Sequence, residues 1–230
     1  MTITIHPLTG IGEVRVGDDL PGILIEGLRP LGPADGDVLV VTQKVVSKAE
    51  GALAEATTED EYRAVVEQEA AAILRRRDAM VITVTKHGFV CANAGVDRSN
   101  VLGNQVVLLP ADPDRSAHRI RIRIEREFGV SIAVIVTDTF GRAWRMGLVD
   151  VAIGISGMLP ILDLRGTPDM NGRVLEVTET AIADELAAAA ELALGKTAGT
   201  PAALIRGVSY PRGEGRATDL IRPAGADMFR

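Results

Sequence analysis

Apolar residues along this chain fall in short continuous runs separated by stretches of helical period. The runs at 2–6 (TITIH), 38–43 (VLVVTQ), 80–85 (MVITVT), 105–109 (QVVLL), 132–137 (IAVIVT) and 202–207 (AALIRG) are rich in β-branched residues and bounded by Gly, Pro or Asp, so they predict strands. Most are apolar at consecutive positions rather than alternating, which predicts strands covered on both faces. Residues 18–28 open with two aspartates and carry Pro21 in the first turn, as a helix start does. Residues 59–77 put acids first and arginines last, the order the helix dipole favours, and predict one helix. Residues 178–195 predict another, with Thr178 as cap, an alanine-rich body and Gly195 at the end. Residues 119–125 (RIRIRIE) alternate like a strand, yet Ala117, Ile120, Ile124 and Phe128 recur at helical spacing before Gly129, so a helix after Asp112-Pro113 is the reading adopted. No repeat, linker or composition break marks a boundary, and one domain over 1–230 is expected. The tail from Gly207, rich in Gly, Pro and charge, predicts a long loop with a short helix.

Composition narrows the classes. With 230 residues and 47% apolar content the chain has ample core, and with only 3% aromatics that core must be aliphatic. A net charge of −6 argues against nucleic acid as the main partner, because phosphate backbones require a basic face. The lone Cys91 excludes an internal disulfide and any CxxC motif, and the three histidines are too far apart in sequence to suggest a zinc site. No basic–apolar leader opens the chain, and no apolar run approaches the roughly 18 residues of a membrane span. The expectation is a cytoplasmic protein with no membrane partner.

Candidate chemistry gathers at the ends of predicted strands. The apolar run 132–136 stops at Asp138 and Thr139, followed by Gly141, Arg142, Trp144 and Arg145. Carboxylates and hydroxyls from separate strand ends can hold Mg²⁺ or Mn²⁺, and Asp97 in the turn-prone stretch 93–100 is the second acid placed for it. Arg142 and Arg145 could then face an anionic substrate. The plainer reading makes Asp138 the cap of a following helix, with Trp144 as packing. Lys44 and Lys48, four apart after the strand 38–41, share a helix face where α/β sheets hold ligands. Gly10 and Gly12 form a weak turn signal whose backbone N–H groups could line a nucleotide. The Gly-rich, arginine-bearing stretch 206–216 could present N–H groups to phosphate. By contrast, 195-GKT-197 lacks the upstream glycine of a phosphate-binding loop and follows a helix end rather than opening one.

The blocks 35-DGDVLVVTQKVVSKAEG-51, 93-NAGVDRSN-100, 134-VIVTDTFGRAWRMG-147, 175-LEVTETAIADELAAAA-190 and 205-IRGVSYPRGEG-215 carry a resemblance across nearly the whole chain. The sequence resembles the γ-glutamyl ligases of deazaflavin coenzyme F420 biosynthesis, the CofE family. The resemblance implies an α+β, mixed-sheet fold, in one body or two interleaved subdomains, assembled as a homodimer. It implies a GTP-dependent ligase that joins L-glutamate to the F420 precursor by an amide bond, with γ-linkages for later glutamates. Mg²⁺ or Mn²⁺, with K⁺ in addition, are the implied ions. By motif, Asp97 and Asp138 match the acids on one metal, and Thr139 and Glu214 match the second. Ile11, Gly12, Glu13 and Val14, then Gln43, Lys48 and Asn100, and the loop Gly207 to Gly215 with Gly213 and Glu214, match nucleotide contacts. Arg142 and Arg145 are the candidate catalytic cations. Related two-part proteins add a nitroreductase-like domain, and none is expected within these 230 residues. The competing readings are a non-catalytic metal- or nucleotide-binding regulatory module and a dinucleotide oxidoreductase; the latter lacks a GxGxxG after the first strand.

Overall fold

A computed structural model describes residues 2–99, 103–195 and 199–228. In chain order the elements are β1 (Thr4–Pro7), α1 (Leu20–Leu28), β2 (Val38–Thr42), α2 (Gln43–Glu50), β3 (Leu53–Glu55), α3 (Glu59–Glu69), β4 (Ala70–Arg77), β5 (Met80–Thr85), β6 (Val90–Ala92), β7 (Gln105–Val107), α4 (Pro113–Phe128), β8 (Ala133–Arg142), β9 (Arg145–Ser156), β10 (Leu162–Asp163), β11 (Glu179–Thr180), α5 (Ile182–Leu194) and β12 (Ala202–Arg206). The chain is α+β with a mixed sheet. The main sheet runs β1-β12-β2-β8-β9, with β2 and β8 parallel and the other pairs antiparallel. Helix α5 crosses all five strands, while α4 packs on β8 and β9 and carries α1 against its side. Val38–Val41 and Ala133–Val136 are accordingly at 0% exposure, as their unbroken apolar runs require. Residues 53–107 build two smaller sheets, β3-β7 and β4-β5-β6, beside α3.

Local chemistry explains most boundaries. In α4, Asp112 accepts the Arg115 N–H at 3.0 Å, Pro113 sits in the first turn, and Gly129 closes the end at φ +69°. Its Ala117, Ile120 and Ile124 are buried and Ile122 is 44% exposed, so helical spacing overrules the alternation of 119–125. Helix α3 starts on a capping box, Thr58 accepting from the Glu61 N–H while the Glu61 side chain reaches back to the Thr58 N–H.

Three expectations are corrected. The stretch 59–77, expected as one helix, divides at Ala70: residues 70–77 form β4 and pair with β5 across a two-residue turn, Asp78-Ala79, in which Asp78 has φ +55°. Tertiary pairing overrides the helical preference of alanine and arginine there. Asp138 caps no helix. The strand runs on to Arg142 and returns as β9 through a second two-residue turn, with Trp144 at φ +57° and 79% exposed rather than packed inside. Helix α5 starts at Ile182, and Glu179–Thr180 before it form β11. Among the described residues, the tail beyond Gly207 contains only single 3₁₀ turns, Ala217–Leu220 and Ala224–Ala226.

Hairpin β8–β9 carries two irregularities, one at Gly141–Arg142 by the tip and one nearer its base. Val136 pairs with Gly154 but Thr137 pairs with Ala152, so β9 holds an extra residue, Ile153. The Ala152 N–H there is taken by Asp184 of α5 at 2.9 Å. Gly154 is required by close approach: a Cβ there would lie 2.4 Å from the Pro113 carbonyl oxygen at the start of α4. No helix among the described residues is long and apolar enough to cross a membrane.

Candidate active site

Strand β2 ends at Thr42, opposite Thr137 of the parallel β8, which runs on past it. A ligand crevice in a parallel arrangement forms outside such carboxyl ends. Here β2 passes directly into α2, whose cap residue Thr42 makes no side-chain hydrogen bond, leaving the first N–H groups of the helix unmatched by a cap. Asp138 follows Thr137 on β8. Asp97 is held by a two-bond bridge to Val107 and accepts from the Ser99 N–H at 2.7 Å and the Ser99 hydroxyl at 2.9 Å. Lys44, in the first turn of α2, places its ammonium 2.8 Å from Asp97 Oδ2 and 2.6 Å from Ser99 Oγ.

The two acids are tuned in opposite directions. Burial works against the Asp97 charge, but Lys44 and the Ser99 donors outweigh it and hold this carboxyl below the usual range. Burial, then the neighbouring Asp150 and Asp97 carboxylates, raise Asp138 to about 7 against the Thr139 backbone N–H and Lys44. Thr139 donates its hydroxyl to Asp150 Oδ1 at 2.6 Å, and Asp150, only 3% exposed, lies directly across the hairpin from it. The sequence reading missed Asp150; the available signal was an acid inside the apolar run 148–155. Cys91 lies near Asp138, and burial pushes its thiol up to about 12, so it stays protonated.

This donor set suits a hard divalent cation. Two carboxylates that sense one another, with a threonine hydroxyl and a third acid adjacent, form an oxygen-only cluster whose mutual repulsion a cation relieves. Among the described residues no group of three or more His, Cys, Asp or Glu side chains is arranged to hold an ion unaided. Substrate oxygens and water would therefore complete the shell, as is usual for Mg²⁺.

The other predicted residues divide between two edges of the sheet. The turn Ile11–Val14 lies on the same edge as the acids, because the Leu8 N–H bonds to Ala202 and the Thr42 N–H to Pro201 at the start of β12. Beside that turn is a cavity of about 350 Å³, closed by Ile23, Glu26 and Gly27 of α1. Lys48 of α2 donates to Glu13 Oε1 of that turn at 2.5 Å. Gln43 is 2% exposed, and its side-chain oxygen accepts from Ser47 at 2.8 Å, so its side chain faces inward.

Gly207, Gly213, Glu214 and Gly215 stand at the opposite edge, where β2 begins. Val38 pairs with Ile205, Gly207 lies against Thr2, and Glu214 pairs with Arg121 at 3.1 Å. Five residues of strand, roughly 17 Å, separate the two edges. Within one chain the structure does not bring Glu214 to Asp97 and Asp138. Arg142 and Arg145 are on the acid side but at the hairpin tip, roughly 10 Å of strand beyond Thr139, and Arg142 donates to the Met146 carbonyl at 2.5 Å. Asn100, Lys196 and Thr197 lie outside the described residues.

The fold and this crevice define a mixed α+β chain with neighbouring carboxylates gathered at strand ends. The sequence model of the family described as F420-0:Gamma-glutamyl ligase matches residues 10–207. Similar proteins named Coenzyme F420:L-glutamate ligase are found in Methanothermobacter thermautotrophicus, at 40% identity covering 100% of both chains, and in Methanopyrus kandleri, at 42% covering 100% of this chain and 98% of the relative. That of Methanocaldococcus jannaschii is 42% identical over 85% of each. The chain belongs to the F420-0:gamma-glutamyl ligase family.

Proposed function

We propose that this protein is a GTP-dependent ligase that joins L-glutamate to the deazaflavin coenzyme F420 precursor through an amide bond, with γ-linked addition of further glutamates. The observation that carries the reading is end-to-end similarity, 40% identity, to a Coenzyme F420:L-glutamate ligase. The crevice geometry agrees with it. A carboxylate does not react with an amine unless its oxygen becomes a leaving group. Transfer of the GTP γ-phosphoryl to the precursor carboxylate forms an acyl phosphate and releases GDP. The neutral amine of glutamate then attacks the acyl carbon, the C–O bond breaks, inorganic phosphate leaves, and the nitrogen loses a proton.

Asp97, Asp138 and Thr139 would hold Mg²⁺ or Mn²⁺, which supplies charge neutralisation to the phosphate oxygens. Lys44 and the unmatched N–H groups of α2 bring fixed positive charge to the same point, with no reorganisation needed as charge develops. Arg142 and Arg145, at the hairpin tip, are candidates for gripping the carboxylates of precursor and glutamate.

A homodimer belongs to this reading. Trp144, Met146 and Leu148 on the arm are 79, 93 and 69% exposed, and Met170 and Val177 on the next excursion 97 and 86%. Such a set calls for cover. A second copy would supply it and could also deliver the distant loop 207–215 to the first copy's crevice. The test is incubation with GTP, Mn²⁺, glutamate and precursor, followed by mass spectrometry. A product heavier by one or more glutamyl units, with one GDP released per unit, is expected. GTP binding without a new mass would replace the ligase with a non-catalytic nucleotide module.

A further inference from the structure

The chain reaches Asp97 from β6 through a backbone conformation that most residues avoid. Asn93, Ala94 and Gly95 in succession have φ of +49°, +53° and +72°. Asparagine and glycine visit the left-handed region readily, but alanine gains nothing there, so its surroundings impose the conformation. Backbone held in this way clusters at sites where a group must be placed. The turn lies between the two acids of the crevice. Before it, β6 packs beside β8, with Cys91 near Asp138. After it, Asp97 is tied to Val107 through both its N–H and its carbonyl. The shape of the turn therefore sets how far Asp97 stands from Asp138.

Thr83, fully buried on β5, accepts the Ala94 N–H at 2.9 Å and donates to the Cys91 carbonyl at 3.1 Å. Its hydroxyl thus bridges β6 and the middle of the turn. Around it the Val81 N–H donates to Asn93 Oδ1 at 3.1 Å, the Val96 N–H to the Asn93 carbonyl at 2.9 Å, and the Tyr62 hydroxyl to the Val96 carbonyl at 3.0 Å. Gly95 is needed for a second reason, because a Cβ there would stand 2.7 Å from Leu109 Cγ. Without the Thr83 hydroxyl, the buried Ala94 N–H would lose its acceptor, a cost the turn escapes by unwinding toward ordinary backbone.

We propose that Thr83 is a positioning residue: its hydroxyl pins the left-handed turn Asn93–Gly95 and so fixes Asp97 at the distance from Asp138 that a divalent cation requires. This rests on the reading of those two acids as metal ligands. Thr83 acts through the Ala94 backbone and not through contact with the ion. Outer partners of this kind govern metal affinity by roughly 10- to 100-fold. Thr85, two residues further along the same strand, is the built-in comparison. It too is buried, and its hydroxyl accepts the Phe89 N–H at 3.1 Å. The two threonines make the same kind of bond in the same hairpin, but the segment that Thr85 holds does not lead into Asp97.

The test is Mn²⁺ titration calorimetry on the full chain and on Thr83→Val, Thr83→Ser, Thr85→Val and Asp97→Asn, with urea unfolding of each. Both valine variants lower the urea midpoint, since each strands one buried N–H. Thr83→Val weakens Mn²⁺ binding by roughly 10- to 100-fold, Thr83→Ser restores it to within about threefold, and Thr85→Val leaves it unchanged. Wild-type affinity in Thr83→Val, equal weakening in both valine variants, or no recovery in Thr83→Ser overturns the proposal while leaving the metal reading intact. Undiminished Mn²⁺ binding by Asp97→Asn, or none by the wild type, overturns both. A readout on the unaltered chain covers the case in which Thr83→Val does not fold. Amide exchange followed by NMR slows at Ala94 and Asp97 together when Mg²⁺ is added, and slowing at Asp97 alone overturns the proposal.

Discussion

Asp138→Asn separates what this site needs for binding from what the fold needs for stability. Burial and two neighbouring carboxylates raise the Asp138 pKa from 3.8 to about 7. An acid raised in this way holds its proton more tightly in the folded state than in the unfolded one. Its contribution to stability is full below pH 3.8 and is lost as pH rises from there to about 7, since only the unfolded state ionises across that window. Above it both states are charged and the loss is complete. At 1.36 kcal/mol per pH unit the whole loss is on the order of 4 kcal/mol, a ceiling that partial exposure to water lowers. Asparagine keeps the shape and an oxygen acceptor for the Thr139 N–H without the charge. The metal-free variant is therefore expected to match the wild type near pH 4 and to exceed it by about 1–4 kcal/mol at pH 8. Urea unfolding followed by circular dichroism, in chelator, measures both. Adding Mn²⁺ at pH 8 should then stabilise the wild type and leave the variant unmoved, because only a species bound to the native state raises its stability. A variant less stable than wild type at pH 8, or one that Mn²⁺ stabilises equally, would refute the electrostatic account of this residue.

Four further outcomes follow from the same geometry. Mn²⁺ affinity of the wild type, read by calorimetry, should rise between pH 6 and 8 with about one proton released per ion, since Asp138 must ionise to bind. Lys44→Met removes the ammonium shared by Asp97 and Ser99 and should cut ligase turnover by about 100-fold with little change in melting temperature. Gly154→Ala drives a methyl group into the Pro113 carbonyl and should lower the urea midpoint by the equivalent of about 2–3 kcal/mol, while Thr58→Ala in the capping box should cost about 1 kcal/mol. On the proposed homodimer, with the exposed arm as its contact, Met146→Lys combined with Leu148→Lys should give a monomer in sedimentation velocity where the wild type sediments as a dimer, leaving far-ultraviolet circular dichroism unchanged.

Where the chain's chemistry is local, the sequence reads through to the structure. The unbroken runs 38–41 and 133–136 became the central parallel pair, and the Asp112-Pro113 start and Gly129 end of α4 are visible in the letters themselves. The hairpins were not legible, for a shared reason. Asp78-Ala79 and Ala143-Trp144 turn the chain in two residues without glycine or asparagine, so Asp78 and Trp144 adopt left-handed backbone with no compositional mark. For β4 the loss went further, because alanines and arginines that favour a helix pair instead with β5. The acids Asp97 and Asp138 were visible as polar interruptions at strand ends. Asp150 was hidden, since its partnership with Thr139 depends on register across a hairpin whose turn carries no signal. The separation of residues 207–215 from the acids was likewise invisible, being set by the antiparallel insertion of β12 between β1 and β2.

The surplus residue at Ile153 sets a rule for what this arm can tolerate. Were the Val136–Gly154 register to run on without the bulge, Val151 rather than Asp150 would stand opposite Thr139, and the far half of the hairpin would be turned inside out relative to the crevice. Side chains along the arm can be exchanged one at a time, but the offset in pairing between the base and the far half has to be kept. Among relatives of this chain, insertions and deletions should therefore collect beyond Arg142 at the tip, outside the paired stretches that hold Asp138 and Asp150.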